Sequence, residues 1–333
     1  MRMPIALITL LVLAGCGGGG GGSSPAPPAS SPSNPSMAQR TAAATATAQG
    51  NAYCTAVRPF YWEIGNASQA LASGSVNAPS DGNTPVYTAS SVMSIASASK
   101  WIYAAYVVQK QGGQLSASDV SFLHFTSGYI SFGTCLPGQT VDACANYLNN
   151  GVLSPNAVGY FSYGGGHMEQ HADRIGLGPL DNAALASEIM SQLGSDVPLA
   201  YSQPQLAGGV VTTPAAYAVF LRKMLGGPLQ MGTMLGEDAV CTNPATCPSA
   251  LNTPIPQSES WTYSLGHWVE SDPTVGDGAF SSAGAFGFYP WIDASKTWYG
   301  ILARRDSGGN NDGYASAQCG RLIRKAWISG VAP

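Results

Sequence analysis

Ser97 and Lys100 stand three residues apart in "SVMSIASASKWIYAAYVVQKQGG" (residues 91 to 113), where a serine-rich stretch turns almost wholly apolar. Residues three apart share one face of a helix. A helix opening at Ser97 therefore sets its hydroxyl beside the Lys100 amine. Burial and the positive end of the helix dipole both disfavour a protonated lysine there. An amine that gives up its proton can draw that of a neighbouring hydroxyl and make the oxygen nucleophilic. The first helical turn also offers backbone N–H groups to a developing oxyanion. The chemistry implied is acyl transfer through a serine. The plain alternative is a serine near a lysine whose head reaches solvent, and four residues alone leave both open.

The elements that must position this pair are legible around it. Residues 97 to 111 have helical length and stop at Gly112-Gly113. Their apolar character on nearly every face implies deep burial. "PFYWEIGNASQALASGSV" (59 to 76) reads as a hairpin turning at Gly65-Asn66. "TPAAYAVFLRKMLGG" (213 to 227) reads as an amphipathic helix with a Thr-Pro start and a Gly-Gly stop. "AFGFYPWID" and "TWYGILARR" read as adjacent strands around a turn at Ala294-Ser295, and "GYASAQCGRLIRKAWISG" as a final helix. Strands near both ends with helices between predict an α/β (α+β) fold. Its antiparallel sheet is flanked by helices and carries a mainly helical insertion at about 113–260.

Composition narrows the context. The chain has 333 residues and a net charge of −4, with charged residues only 10 % of it. No basic run or stripe exists to meet phosphates, so nucleic acid is not an expected partner. Residues 1–15, "MRMPIALITLLVLAG", place Arg2 before an apolar stretch too short to span a bilayer. "LAGC" (Leu13 to Cys16) resembles the lipobox of bacterial lipoproteins, which implies lipidation of Cys16 and anchoring to a membrane at the periplasm or cell surface. Residues 16–49 are rich in Gly, Ser and Pro, with "MAQRTAAATATAQG" either a frayed continuation or a first helix. The hydrolase-like domain is expected over 50–333.

Beyond Cys16 six cysteines remain, an even number that suggests disulfides in an exported chain. Local spacing favours Cys135–Cys144 and Cys241–Cys247, and elimination leaves Cys54–Cys319 to tie the ends of the domain together. His167 and His171 in "HMEQH" lie one helical turn apart, but no third ligand has suitable spacing. No metal and no cofactor are expected. No G-x-S-x-G is present. His124 and His267 are the histidines a Ser-His-Asp arrangement would need, and His124 reads as packing.

Six segments in order resemble one superfamily, the serine β-lactamases and penicillin-binding proteins. "ASASKWIYAAYVVQ" resembles its active-site helix, and "FLHFTSGY" (122 to 129) its "LLtHTSGl". "YFSYGGGH" (160 to 167) is similar to the segment bearing the family tyrosine, and "QLAGGVVTTPAAYAVFLRKML" (205 to 225) to "AGGlysTarDlarFlraLl". "YSLGHWV" (263 to 269) is similar to "YGLGwfv", and "FSSAGAFGFYPWID" (280 to 293) to the strand bearing the third motif. The most similar branch is that of class C β-lactamases, DD-peptidases and family VIII carboxylesterases. The resemblance implies Ser97 as nucleophile, Lys100 as its partner and Tyr163 as the proton-exchanging phenol. It implies an oxyanion hole from the N–H groups of Ser97 and Ala285. Gly165, Ser282 and Gly284 would line the substrate site, with Tyr129 and Trp268 as cleft walls.

Two departures bear on the substrate. The second motif reads Tyr163-Gly164-Gly165, so the family asparagine is missing. The third reads Ser282-Ala283-Gly284, without the lysine or histidine that holds a substrate carboxylate in β-lactamases and DD-peptidases. A neutral carboxylic ester is therefore the expected substrate. The alternatives are a β-lactam or D-alanyl-D-alanine peptide, an amide oligomer, or no turnover in a binding lipoprotein. Arg304 or Arg305 could restore a cation from the next strand. Tyr147 in "NYLNN" is a second candidate for the family tyrosine, disfavoured because "FSY" is the better match.

Overall fold

The computed structural model describes residues 34–78, 85–306 and 312–333. The calls on the leader, on Cys16 and on the tether up to residue 33 lie outside them.

One eight-stranded antiparallel sheet carries the molecule. Its order is Ala70–Val76, Phe60–Gly65, Tyr299–Ala303, Tyr289–Ile292, Phe280–Ser281, Trp268–Val269, Thr262–Tyr263 and Val240–Cys241. The expected hairpin is its first pair, with Phe60 opposite Val76. Asn66 closes the turn by accepting the Ser68 and Gln69 amides on its side chain. The strands Tyr289–Ile292 and Tyr299–Ala303 pair as the sequence predicts. Every residue of Phe60–Gly65 and Tyr299–Ala303 is buried. Both faces of these strands are covered, so their sequences run apolar rather than alternating.

Two terminal helices cover one part of the sheet. Met37–Gly50 packs on Asp312–Ser329. The folded unit therefore begins at Pro35 and not near residue 50. Ser36 and Gln39 form a capping box that starts the first helix, which buries Ala43, Ala44, Thr47 and Ala48. Small residues give that face little hydrophobic signal, although Arg40 donates to the carbonyls of Trp327 and Ile328 at 2.7 and 2.8 Å. The Cys54–Cys319 disulfide joins the same two chain ends.

Charge holds the last helix to the sheet. Arg324 reaches Glu270 at 2.9 Å and Asp277 at 2.8 Å, and Arg321 reaches Glu270 at 3.0 Å and Glu259 at 2.9 Å. The side chains of Arg324 and Glu270 are fully buried. Such a network survives burial because each ion finds several partners.

The segment between the sheet halves carries helices at Ala117–Leu123, Gly166–Ala172, Asn182–Leu193 and Pro214–Leu225. It also contributes strands. Val210–Thr212 lies between Met93–Ser94 and Ala200–Tyr201 in a small sheet, and Val240–Cys241 joins the main one. Disulfides Cys135–Cys144 and Cys241–Cys247 close two of its loops. The helix Ser99–Lys110 is buried from Ser99 through Val108. Among the described residues no helix is long and apolar enough to cross a membrane.

Candidate active site

Ser97 sits in a short 3-10 turn, Ala96–Ala98, that runs straight into the Ser99–Lys110 helix. Ala96 is held at φ +45°. That left-handed geometry costs a non-glycine residue about 1–2 kcal/mol. The turn is held where Ile95 N–H donates to Val210 O and Ser282 Oγ donates to Ser97 O at 3.2 Å. The N–H groups of a first helical turn have no partner within the helix.

Lys100 is only 4 % exposed. Its Nζ lies 2.9 Å from Ser97 Oγ and donates to Ala207 O at 2.8 Å. It also stands 4.9 Å from the centre of the Tyr163 ring. Burial lowers its pKa to about 7, and the Glu169 carboxylate acts in the opposite direction. The amine is thus available as a base near neutrality, as an exposed lysine is not.

Burial pushes the Tyr163 phenol up to about 12, while the neighbouring side chains of Ser97 and Trp268 pull it down. Trp268 stacks on the Tyr163 ring at 5.2 Å and is 2 % exposed, so it backs the tyrosine and forms no cleft surface. Ser97, Lys100 and Tyr163 therefore meet, from three segments 66 residues apart in sequence at the extremes (Tyr163 against Ser97).

The strand Phe280–Ser281 leads past this group. Ser282 and Gly284 follow it, and Gly284 N–H donates to Phe288 O while Gly287 N–H donates to Gly284 O, each at 2.8 Å. Ala285 occupies the turn they close. A Cβ on Gly284 would collide with the Ile95 carbonyl, so only glycine lets this strand end lie against the Ser97 turn.

Gly165, which stands where the family asparagine was expected, packs closely on Phe132. A Cβ on Gly165 would stand 3.0 Å from the Phe132 ring. Any side chain at that position would have to displace the Phe132 ring.

This arrangement matches known architectures. No family model matches the chain, and no curated protein matches it. Solved structures do. D-amino acid amidase from Ochrobactrum anthropi aligns with TM-score 0.62 at 10% identity, over 86% of this chain and 98% of that one. Simvastatin synthase (LovD) from Aspergillus terreus aligns with TM-score 0.60 at 12% identity, over 87% and 97%. A beta-lactamase from Mycobacterium bovis aligns with TM-score 0.52 at 14% identity, over 81% and 96%. The chain has the fold of the serine β-lactamase and penicillin-binding-protein superfamily.

Within this β-lactamase-like fold the remaining candidates fall as follows. Tyr147 is half-exposed beside the Cys135–Cys144 disulfide, its N–H bonded to Cys144 O. Tyr129 turns its ring to Phe122 and Arg174, and lines a pocket of about 380 Å³ that Ser97, Lys100 and Tyr163 do not reach. Arg304 is buried and neutralised by Asp306 and Asp312 at 3.1 and 2.9 Å. Arg305 is exposed and stands 5.9 Å from the Phe286 ring, next to Ala285.

The histidines have other partners. His167 bonds Ser127 Oγ and Ser162 O, and His171 lies between Tyr103 and Asp119. His267 donates from Nδ1 to Leu265 O and accepts Gly236 N–H on Nε2. His124 is buried beside Phe125 in the chain. Among the described residues no group of three or more His, Cys, Asp or Glu could hold a metal.

Sequence reasoning passed over Glu169. It lies fully buried between the two histidines of "HMEQH" and accepts the amides of Leu206 and Ala207. A carboxylate inside a wholly buried helical turn was the available signal, since such a group needs partners.

Proposed function

We propose that this chain is a serine hydrolase that cleaves carboxylic esters through an acyl-Ser97 intermediate. The observation that carries the reading is the buried Lys100 amine, 2.9 Å from Ser97 Oγ, with its pKa brought down to about 7. Ser97 Oγ attacks the ester carbonyl and its proton passes to Lys100. Tyr163 hands a proton to the departing alcohol, so the alcohol leaves neutral. Water then adds to the acyl carbon and gives a proton to Tyr163, Lys100 returns its proton to the departing Ser97 Oγ, and the carboxylic acid is released. The N–H groups of Ser97 and Ala285 stabilise the oxyanion of each tetrahedral state.

Ester preference is supported by the third motif. Ser282 brings no charge, its hydroxyl is spent on Ser97 O, and Arg304 is neutralised. Neither Ser282 nor Arg304 therefore offers a free cation to a substrate carboxylate. Amide hydrolysis is the second reading, favoured by the alignment with the D-amino acid amidase, the highest TM-score of the three quoted. Three disulfides support export to an oxidising compartment, with Cys16 as the proposed lipid anchor.

The test is turnover of purified protein on p-nitrophenyl butyrate, a D-phenylalanine amide and nitrocefin, with mass mapping of a fluorophosphonate adduct. Ester turnover and an adduct on Ser97 are expected. Turnover of nitrocefin without ester cleavage overturns the substrate order, and an unlabelled Ser97 overturns the mechanism.

A further inference from the structure

Lys100 donates to Ala207 O, and the same Ala207 residue gives its N–H to a buried carboxylate. Ala207 N–H reaches one Glu169 oxygen at 3.0 Å, and Leu206 N–H reaches the other at 3.1 Å. Both oxygens are thus used to clamp one stretch of backbone. Glu169 projects from the helix Gly166–Ala172, immediately after the Tyr163-Gly164-Gly165 turn. One glutamate therefore links the tyrosine loop to the carbonyl that seats the lysine. In relatives an asparagine follows the tyrosine by two positions, and here Gly165 stands there with Phe132 against it.

We infer that Glu169 is a positioning residue for Lys100, fixing Nζ on Ser97 through the Leu206–Ala207 backbone and supplying the polar partner that Gly165 cannot. The inference rests on the reading of Ser97 as nucleophile.

Glu169 is not solvated. Burial raises its carboxyl to about 7, the two amides lower it, and the Lys100 charge lowers it further. The groups that face this pair are Tyr103 on the Ser99–Lys110 helix, Tyr201 on the strand Ala200–Tyr201, His167 on its own helix, and Tyr163. The phenols of Tyr103 and Tyr201 are held above their usual range and stay neutral, and burial holds His167 at about 4. Glu169 is then the group whose charge bears on Lys100. Its negative form favours the ammonium, so it also sets the pH at which the amine becomes a base.

The test is the pH dependence of the rate constant for phosphonylation of Ser97 in the full chain by a fluorophosphonate, which displaces fluoride as acylation displaces an alcohol, in wild type and Glu169→Gln. Glutamine accepts from one amide only and carries no charge. The plateau rate should fall about tenfold or more, and the acid limb should move to lower pH by about half a unit or more. A purely structural role would reduce the labelled fraction without moving the limb. Unchanged plateau and limb in folded Glu169→Gln overturn the inference.

If that variant does not fold, Glu169→Asp decides. It keeps the charge but is one methylene short of both amides. It should slow acylation and leave the limb in place, and a wild-type rate overturns the inference. Failure of Ser97 to label in wild type would instead remove the underlying mechanism, so the two failures are distinct.

Discussion

Ser282 Oγ donates to the backbone carbonyl of Ser97 at 3.2 Å. Ser282 is thus a brace for the turn that carries Ser97, the proposed nucleophile. Ser282→Ala should then cost about 1 kcal/mol of stability and lower kcat/KM on a short ester by no more than about fivefold. A loss of a hundredfold, with KM carrying most of it, would mean that Ser282 touches substrate.

Lys100→Met keeps the stem and removes the amine that lies on Ser97 Oγ. The acylation rate should drop by about a hundredfold or more, with the fold intact by circular dichroism. Methionine fills the place of the stem in the core but leaves Ala207 O without its donor, so the melting temperature should fall modestly. An acylation rate near wild type would show that another group takes the serine proton.

The two tyrosines separate cleanly. Tyr163→Phe deletes the hydroxyl that neighbours Ser97 and Trp268, and should lower ester turnover by about a hundredfold. Tyr147→Phe, beside a disulfide loop, should leave turnover unchanged. The reverse pattern would transfer the proton-exchanging role to Tyr147.

The pH profile follows from the sign of the Lys100 shift. A lysine at its usual pKa is a free base only above pH 10, whereas burial brings this one down to about 7. Acylation should therefore be full above pH 7 and fall about tenfold per unit below it. A limb near pH 10 would show that the amine is solvated when the enzyme works.

Stability should depend on the chain-end staple and the buried ions. Cys54→Ser with Cys319→Ser opens a closure of 265 residues, and should lower stability by about 2–5 kcal/mol in a denaturant titration. Arg324→Met leaves Glu270 with Arg321 but strands part of its charge, and should cost about 3–5 kcal/mol. A midpoint unchanged in either variant would show that packing alone holds the last helix.

The amino-acid sequence by itself determined the local elements and the pair at their centre. Glycines stop the Ser99–Lys110 helix, Asn66 shapes the hairpin turn, and a spacing of three positions puts Ser97 and Lys100 on one helical face whatever surrounds them. The ordered segments around that helix carried the fold, and cysteine spacing carried the disulfides. These are short-range consequences of backbone geometry and chain connectivity. The first helix stayed open between a frayed tether and a helix, because its buried face is made of alanine and threonine, whose burial depends on a helix nearly three hundred residues later.

What only the tertiary structure decided is which long-range partners meet. Tyr163 rather than Tyr147 comes to Lys100, Trp268 goes behind the tyrosine and not to a cleft, and Arg304 is neutralised by two aspartates. Glu169 reaches the Leu206–Ala207 amides across 37 and 38 residues. A burial-driven pKa shift has no signature in a sequence. It arises from desolvation by residues that become neighbours only when the chain is packed.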